Sequence, residues 1–168
     1  MSNKIEASKI SIDQLFQTFW FRIPEYQHSY VWGDEQIDEL FDDLRYAMNA
    51  NPEKEYFLGS VVLQKHWKEE NGIQYECSDV MDGQQRLTTL FLLMACLRDI
   101  SDMPQLQNKA TSALQQEEDI FSNQPQRVRM EFLIRDQVGD FVQKVICTKG
   151  GTDDKDQVLS FEIGRAHV

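Results

Sequence analysis

The chain has 168 residues, enough for one domain or for a domain plus part of another. With 41% hydrophobic residues, ten Phe, five Tyr and three Trp it can bury a core, which excludes a disordered chain. A formal net charge of −11, from 17 basic and 28 acidic residues, repels a phosphate backbone and excludes broad, non-specific DNA binding as its main property.

The opening MSNKIEASKI carries no apolar stretch of the signal-peptide kind. Ser11-Ile12-Asp13-Gln14 is a capping-box pattern, and Ile12, Leu15 and Phe16 follow at helical spacing, so a short helix is expected there. The aromatic run Phe19–Pro24 reads as a strand closed by proline, and Glu25–Gly33 as a loop rich in side chains able to touch a ligand. Asp34 is expected to cap a helix with Ile37, Leu40, Phe41, Leu44 and Met48 on one stripe. Tyr56–Trp67 reads as a strand broken by Gly59, and Asn71-Gly72 as a turn into a second strand, Ile73–Met81. A strong helix runs from Gly83 to about Ile100, with Leu87, Leu90, Phe91, Met94 and Ala95 inward. A weaker helix is expected over Leu106–Ile120, a strand over Arg127–Ile134, and a helix capped by Asp136 after it. The order predicts an α+β fold, a small sheet packed on helices. A change of character near Ser101–Pro104 suggests a sheet-bearing domain over 8–102 and the start of a helical continuation over 103–161.

Cys77, Cys96 and Cys147 have no metal-ligand spacing and are not an even set; reduced thiols in a cytoplasmic protein are the default expectation. The longest apolar run, Leu90–Leu97, is too short to span a bilayer, so no membrane association is expected. The last residues, Glu162–Val168, read EIGRAHV, which back-translates to a common sequencing-library adapter that runs into a stop. The expectation is that 162–168 are adapter-derived and that the natural protein continues past about Phe161, so Arg165 and His167 carry no functional weight. A chance heptapeptide is the other reading.

The chemistry-bearing stretch is Asp82-Gly83-Gln84-Gln85-Arg86, at a strand-to-helix junction. The first N–H groups of a helix lack partners within it, and with the helix dipole they favour an anion by roughly 0.3–1 kcal/mol at an exposed site. Gly83 lets another group approach the backbone. Arg86, one turn along, has the planar fork that matches phosphate oxygens, and Gln84 and Gln85 each donate and accept. The same letters also fit a simple helix cap, Asp82 with Gln85 three residues on, and a capping carboxylate would repel a phosphate. The pattern alone leaves both open.

Two further blocks stand upstream: Ile23–Trp32 (IPEYQHSYVW) and Tyr56–Leu63 (YFLGSVVL). Together the three resemble the N-terminal domain of GmrSD-type modification-dependent restriction enzymes, whose pattern is met by Ile23, Pro24, Tyr26, Gln27, Tyr30, Trp32, by Phe57, Leu58, Gly59, Ser60, and by Asp82 through Leu90. The resemblance covers about residues 10–150. It departs at His28, where the family usually has Arg; a shorter, mostly neutral side chain there puts nucleotide affinity in doubt.

The resemblance implies a ParB- and sulfiredoxin-like fold with a nucleotide's phosphates at the start of the helix after the sheet. It implies nucleoside triphosphate hydrolysis, with Mg²⁺, that gates a nuclease further along the chain. Asp82, Gln85 and Arg86 are then the catalytic candidates, and Tyr26, Gln27, Tyr30, Trp32, Leu58, Gly59, Gly83 and Gln84 the nucleotide-binding ones. Tyr26, Tyr30 and Trp32 suit stacking on a base, worth roughly 1–3 kcal/mol, and equally suit a core. Gly59 in a strand suits close approach to phosphates, or a bulge. The acidic row Asp34, Glu35, Asp38, Glu39, Asp42, Asp43 reads as a solvated helix face, with Glu35 and Asp38, nearest the Trp32 loop, as the two placed to meet Mg²⁺. No metal ligand is assigned. Arg22 is a second cation that suits a nucleotide. No His-Asn-His or Asp-x-Glu-x-Lys arrangement appears, so modified DNA is expected to be met only through a C-terminal part; a homo-oligomer stays open. The alternative function is a ParB-like nucleotide- or DNA-binding switch without turnover.

Overall fold

A computed structural model describes residues 5–26, 30–50, 54–121, 124–133 and 136–153. The expectations for Gln27, His28 and the 162–168 tail lie outside these residues. The fold is α+β. Helix α1 (Ile12–Thr18) starts as its capping pattern demands, with Ser11 Oγ accepting from the Gln14 N–H at 3.2 Å. Strand β1 (Phe21–Ile23) follows, then α2 (Asp34–Asn49), β2 (Val62–Glu70), β3 (Ile73–Asp82) and α3 (Gln84–Ile100). Helix α4 (Pro104–Leu114) leads to the short strands β4 (Gln115–Gln116), β5 (Arg127–Val128) and β6 (Met130–Phe132). Helix α5 (Asp136–Phe141) passes into a π-helical turn, Val142–Ile146.

One mixed sheet has the order β2-β3-β1-β6, with β1 parallel to both β3 and β6 and β2 antiparallel to β3. The β2–β3 hairpin turns at Asn71-Gly72, both with positive φ (53° and 77°), the geometry that Asn-Gly adopts most readily. β4 and β5 form a separate small ladder. Phe21, Ile23, Val80 and Met130 point from the sheet into one core, against Phe16 of α1, Leu87 and Phe91 of α3, Leu114 of α4 and Val142 and Ile146 beyond α5. The part of the chain expected to be a helical continuation from 103 thus supplies β6 to the sheet and Leu114 to this core.

Several local expectations change. Tyr56–Val61 is not strand: pairing begins only at Val62, since Gly59 has φ +126°, far from extended backbone. Gly33, not Asp34, caps α2, its N–H donating to Gln36 Oε1 at 2.9 Å. Met48 of the α2 stripe is exposed, because the helix runs past the core it packs on. Helix α4 spans Pro104–Leu114 rather than Leu106–Ile120: Gln115 turns extended to pair with Val128.

The carboxyl end of α3 is anchored by a buried ion pair. Arg98 and Asp99 side chains are 1% and 0% exposed, with Arg98 Nε 2.7 Å from Asp99 Oδ1. Arg98 also donates to the carbonyls of Ile146 (2.9 Å) and Thr148 (2.6 Å), while Asp99 accepts from the N–H groups of Gly150 and Thr152 and from Thr152 Oγ1. Burial alone would raise the Asp99 pKa, but Arg98 and these hydrogen bonds outweigh it and hold the carboxyl well below the usual carboxylate range.

Candidate functional site

The three sequence blocks converge at the carboxyl ends of β1 and β3, where loops of a parallel sheet commonly build sites. β3 ends at Asp82, a single residue intervenes, and α3 begins at Gln84. That residue, Gly83, is the N-cap, in the left-handed region at φ +82°. The cap reading of Asp82 is therefore corrected: Gly83 occupies the N-cap position and has no side chain with which to cap. Asp82 is exposed at the strand end.

Gln85 turns away from the helix start and crosses to the aromatic segment. Its Oε1 accepts from the N–H of Val31 (2.8 Å) and more weakly from that of Trp32 (3.3 Å). One turn further, Thr89 Oγ1 lies 2.8 Å from Tyr30 Oη, with Thr89 Oγ1 also 2.8 Å from the Gln85 carbonyl. Gln85 and Thr89, four apart on one helix face, thus hold Tyr30–Trp32 against α3. Tyr30 and Trp32 are half-buried, Trp32 packing on the core, whereas Tyr26 is exposed, its hydroxyl 3.3 Å from Met81 Sδ. The structure therefore brings Tyr30 and Trp32 to the start of α3.

The middle block lies over the same place. A Cβ added at Gly59 would collide with the guanidinium of Arg86, 2.7 Å from its Cζ, and one added at Gly83 would stand 2.8 Å from the Ser60 carbonyl oxygen. Both glycines are required by close approach as well as by positive φ. Leu58 packs on the core beside them. Arg86 is half-buried under Gly59, and among the described residues neither Arg86 nor Asp82 makes an ion pair or a side-chain hydrogen bond. Gln84 is half-buried at the first helical position.

Arg22 is not part of this site. It is bound through Nε (2.7 Å) and Nη2 (3.2 Å) to Asp79 on β3, a largely shielded pair with side chains 15% and 14% exposed. No group of three or more His, Cys, Asp or Glu side chains converges among the described residues, and no helix among them is long and apolar enough to cross a membrane.

Thr89 is the contact that residue-by-residue reading misses. It stands inside the quoted motif, four residues after Gln85, and that spacing is the available signal.

The profile described as the N-terminal domain of the GmrSD restriction endonuclease matches residues 8–165. The chain belongs to this family. The match spans all three blocks that converge at α3 and puts the chain in a restriction-endonuclease family context. No curated protein matches the chain.

Proposed function

We propose that this GmrSD N-terminal domain binds a nucleoside triphosphate at the start of α3, hydrolyses its phosphoric anhydride, and thereby regulates a DNA-restriction activity carried elsewhere in the protein. The observation that carries the reading is Arg86: a half-buried guanidinium without an acid partner among the described residues, pressed beneath Gly59 at a glycine-capped helix start. A cation so placed is poised for an anion that comes from outside, and its fork suits phosphate oxygens. Arg22, Arg98 and Arg127 each pair with a carboxylate, whereas Arg86 and Arg129 do not among the described residues.

At Gly59 and Gly83 the space a Cβ would need is already taken by the Arg86 guanidinium and the Ser60 carbonyl, so the two glycines let the middle block close over the helix start and hold Arg86 there. Mg²⁺ bound with the triphosphate would neutralise phosphate charge, and Asp82, exposed at the end of β3, would be the carboxylate available to it. In this reading Asp82 orients the attacking water and Arg86 stabilises charge on the phosphoryl oxygens. Gln85, already committed to Val31 and Trp32, is a positioning residue that sets the aromatic wall formed by Tyr30 and Trp32. Leu58 lines the apolar side, and Tyr26 belongs to the turn that follows β1.

The test is to incubate the purified chain with each radiolabelled nucleoside triphosphate and Mg²⁺. Phosphate release that disappears in Asp82→Ala and Arg86→Ala supports hydrolysis. Saturable binding without release replaces it with a ParB-like switch. Neither binding nor release, in a folded chain, overturns the proposal.

A further inference from the structure

A second constellation lies at the opposite, amino end of the parallel strands. Trp20 and Arg129 immediately precede β1 and β6, which pair Phe21 with Met130. Phe21 and Met130 face the core, so by strand alternation Trp20 and Arg129 face the other side of the sheet. Arg129 is only 9% exposed. Its Cζ lies 4.6 Å from the Trp20 ring centroid. Arg127 completes a stack, 5.4 Å from the Trp20 centroid and 3.5 Å from that of Tyr75.

Stacking engages only the flat face of a guanidinium; its N–H donors radiate in the plane and still need acceptors. Arg127 has one, Glu70, at 2.8 Å. Arg129 differs: its buried Nε and Nη1 make no hydrogen bond among the described residues, and neither does the buried Nε1 of Trp20 beside it. Each such group costs free energy until an acceptor is supplied, and a charged donor costs most. Among the described residues Glu70, bound to Arg127, is the single carboxylate paired with either of the two stacked arginines. Burial, with the neighbouring Arg127 charge, presses the Arg129 pKa downward, an effect that a bound anion reverses.

We propose that Arg129 and Trp20 form an oxyanion site, distinct from the α3 site, whose in-plane donors take a phosphate or carboxylate group. Trp20 Nε1–H and the Nε and Nη1 donors of Arg129 are the ligating atoms, and Arg127 adds the second positive charge. Two sources fit this chemistry, a phosphate ester or free phosphate, and a carboxylate.

Proton–nitrogen correlation spectra of the whole chain test it, the Trp20 indole signal being assigned with Trp20→Phe. Inorganic phosphate and acetate are titrated separately at constant ionic strength, with chloride as reference. The expected result is a saturable shift of the Trp20 indole with at least one of the two, and the anion that saturates at lower concentration names the source. Arg129→Gln should weaken it about tenfold or more, as loss of charged hydrogen bonds implies. Arg129→Lys, which keeps charge but not the fork, should weaken it too and serves if the Gln variant does not fold. Arg86→Ala should leave it unchanged. A linear response equal to that of chloride overturns the site, as does a shift that survives in both Arg129 variants or one that vanishes in Arg86→Ala.

Discussion

The side-chain oxygen of Gln85 lies 2.8 Å from the amide nitrogen of Val31. This bond joins the second helical residue of α3 to the segment that follows β1, across a separation of 54 residues in the chain. The roles within the DGQQR stretch separate accordingly. Gln85 shapes the wall, while Asp82 and Arg86 stay uncommitted among the described residues.

Gln85→Ala should therefore loosen the wall rather than remove chemistry. Losing the one oxygen that accepts from two backbone N–H groups costs about 1–2 kcal/mol of stability at a partly shielded site. In the proposed reaction, KM should rise about tenfold while kcat falls less, because Asp82 and Arg86 remain in place. A fall in kcat of about a hundredfold with KM unchanged would move Gln85 into the chemistry. Steady-state kinetics with the preferred nucleotide decides.

Asp82→Ala should leave stability within about 0.5 kcal/mol of the parent, as expected of an exposed residue that caps nothing. Turnover should nonetheless be lost. Urea denaturation beside a phosphate-release assay gives both numbers. A loss of about 1 kcal/mol or more would restore Asp82 as a helix cap.

Gly59→Ala imposes a Cβ on a residue with φ +126° and drives it into the Arg86 guanidinium. The backbone cost is of order 1–3 kcal/mol, and the side-chain collision adds to it. Adding Arg86→Ala should return the collision part of the loss but not the backbone part, and should not return turnover. Strict additivity of the two changes in a double-mutant cycle would show that the contact carries no energy.

The Arg98–Asp99 pair predicts an acid-side dependence of stability. Because the folded Asp99 pKa is depressed, its contribution is fully present above the unfolded carboxylate pKa, near 4, and drains away as pH falls below that. Denaturation midpoints should thus be unaffected by this pair from about pH 5 to 8 and drop steeply below about pH 4. Asp99→Asn should lower stability at about pH 7 by about 3–5 kcal/mol, since it leaves a buried guanidinium without its counter-charge, and should flatten the acid limb. An acid limb of unchanged slope would assign the effect to other carboxylates.

The features legible in sequence are those whose causes are local. Ser11 caps α1 through a bond to a residue three positions on, and Asn71-Gly72 turns a hairpin through its own backbone preferences. The α3 boundary is readable because apolar spacing changes there from a strand period to a helical one. The cap lies one residue beyond Asp82 because Asp and Gly are both common at N-caps and only the backbone angle at Gly83 decides. The partners of Gln85, Gly59 and Arg98 lie far away in the chain, so their types are readable and their targets are not. Arg22 shows the converse: a cation that suits a nucleotide is already taken by Asp79, 57 residues distant.

Gly83 changes what a mutational scan of this motif would measure. Any side chain at position 83 meets the backbone carbonyl of Ser60, which cannot swing aside as a side chain does, and does so at a φ that L-residues rarely adopt. Glycine would be retained there in every folded variant, ligand or no ligand. Intolerance at that letter reports the junction between strand and helix, and only positions 82 and 86 report on whatever the junction holds.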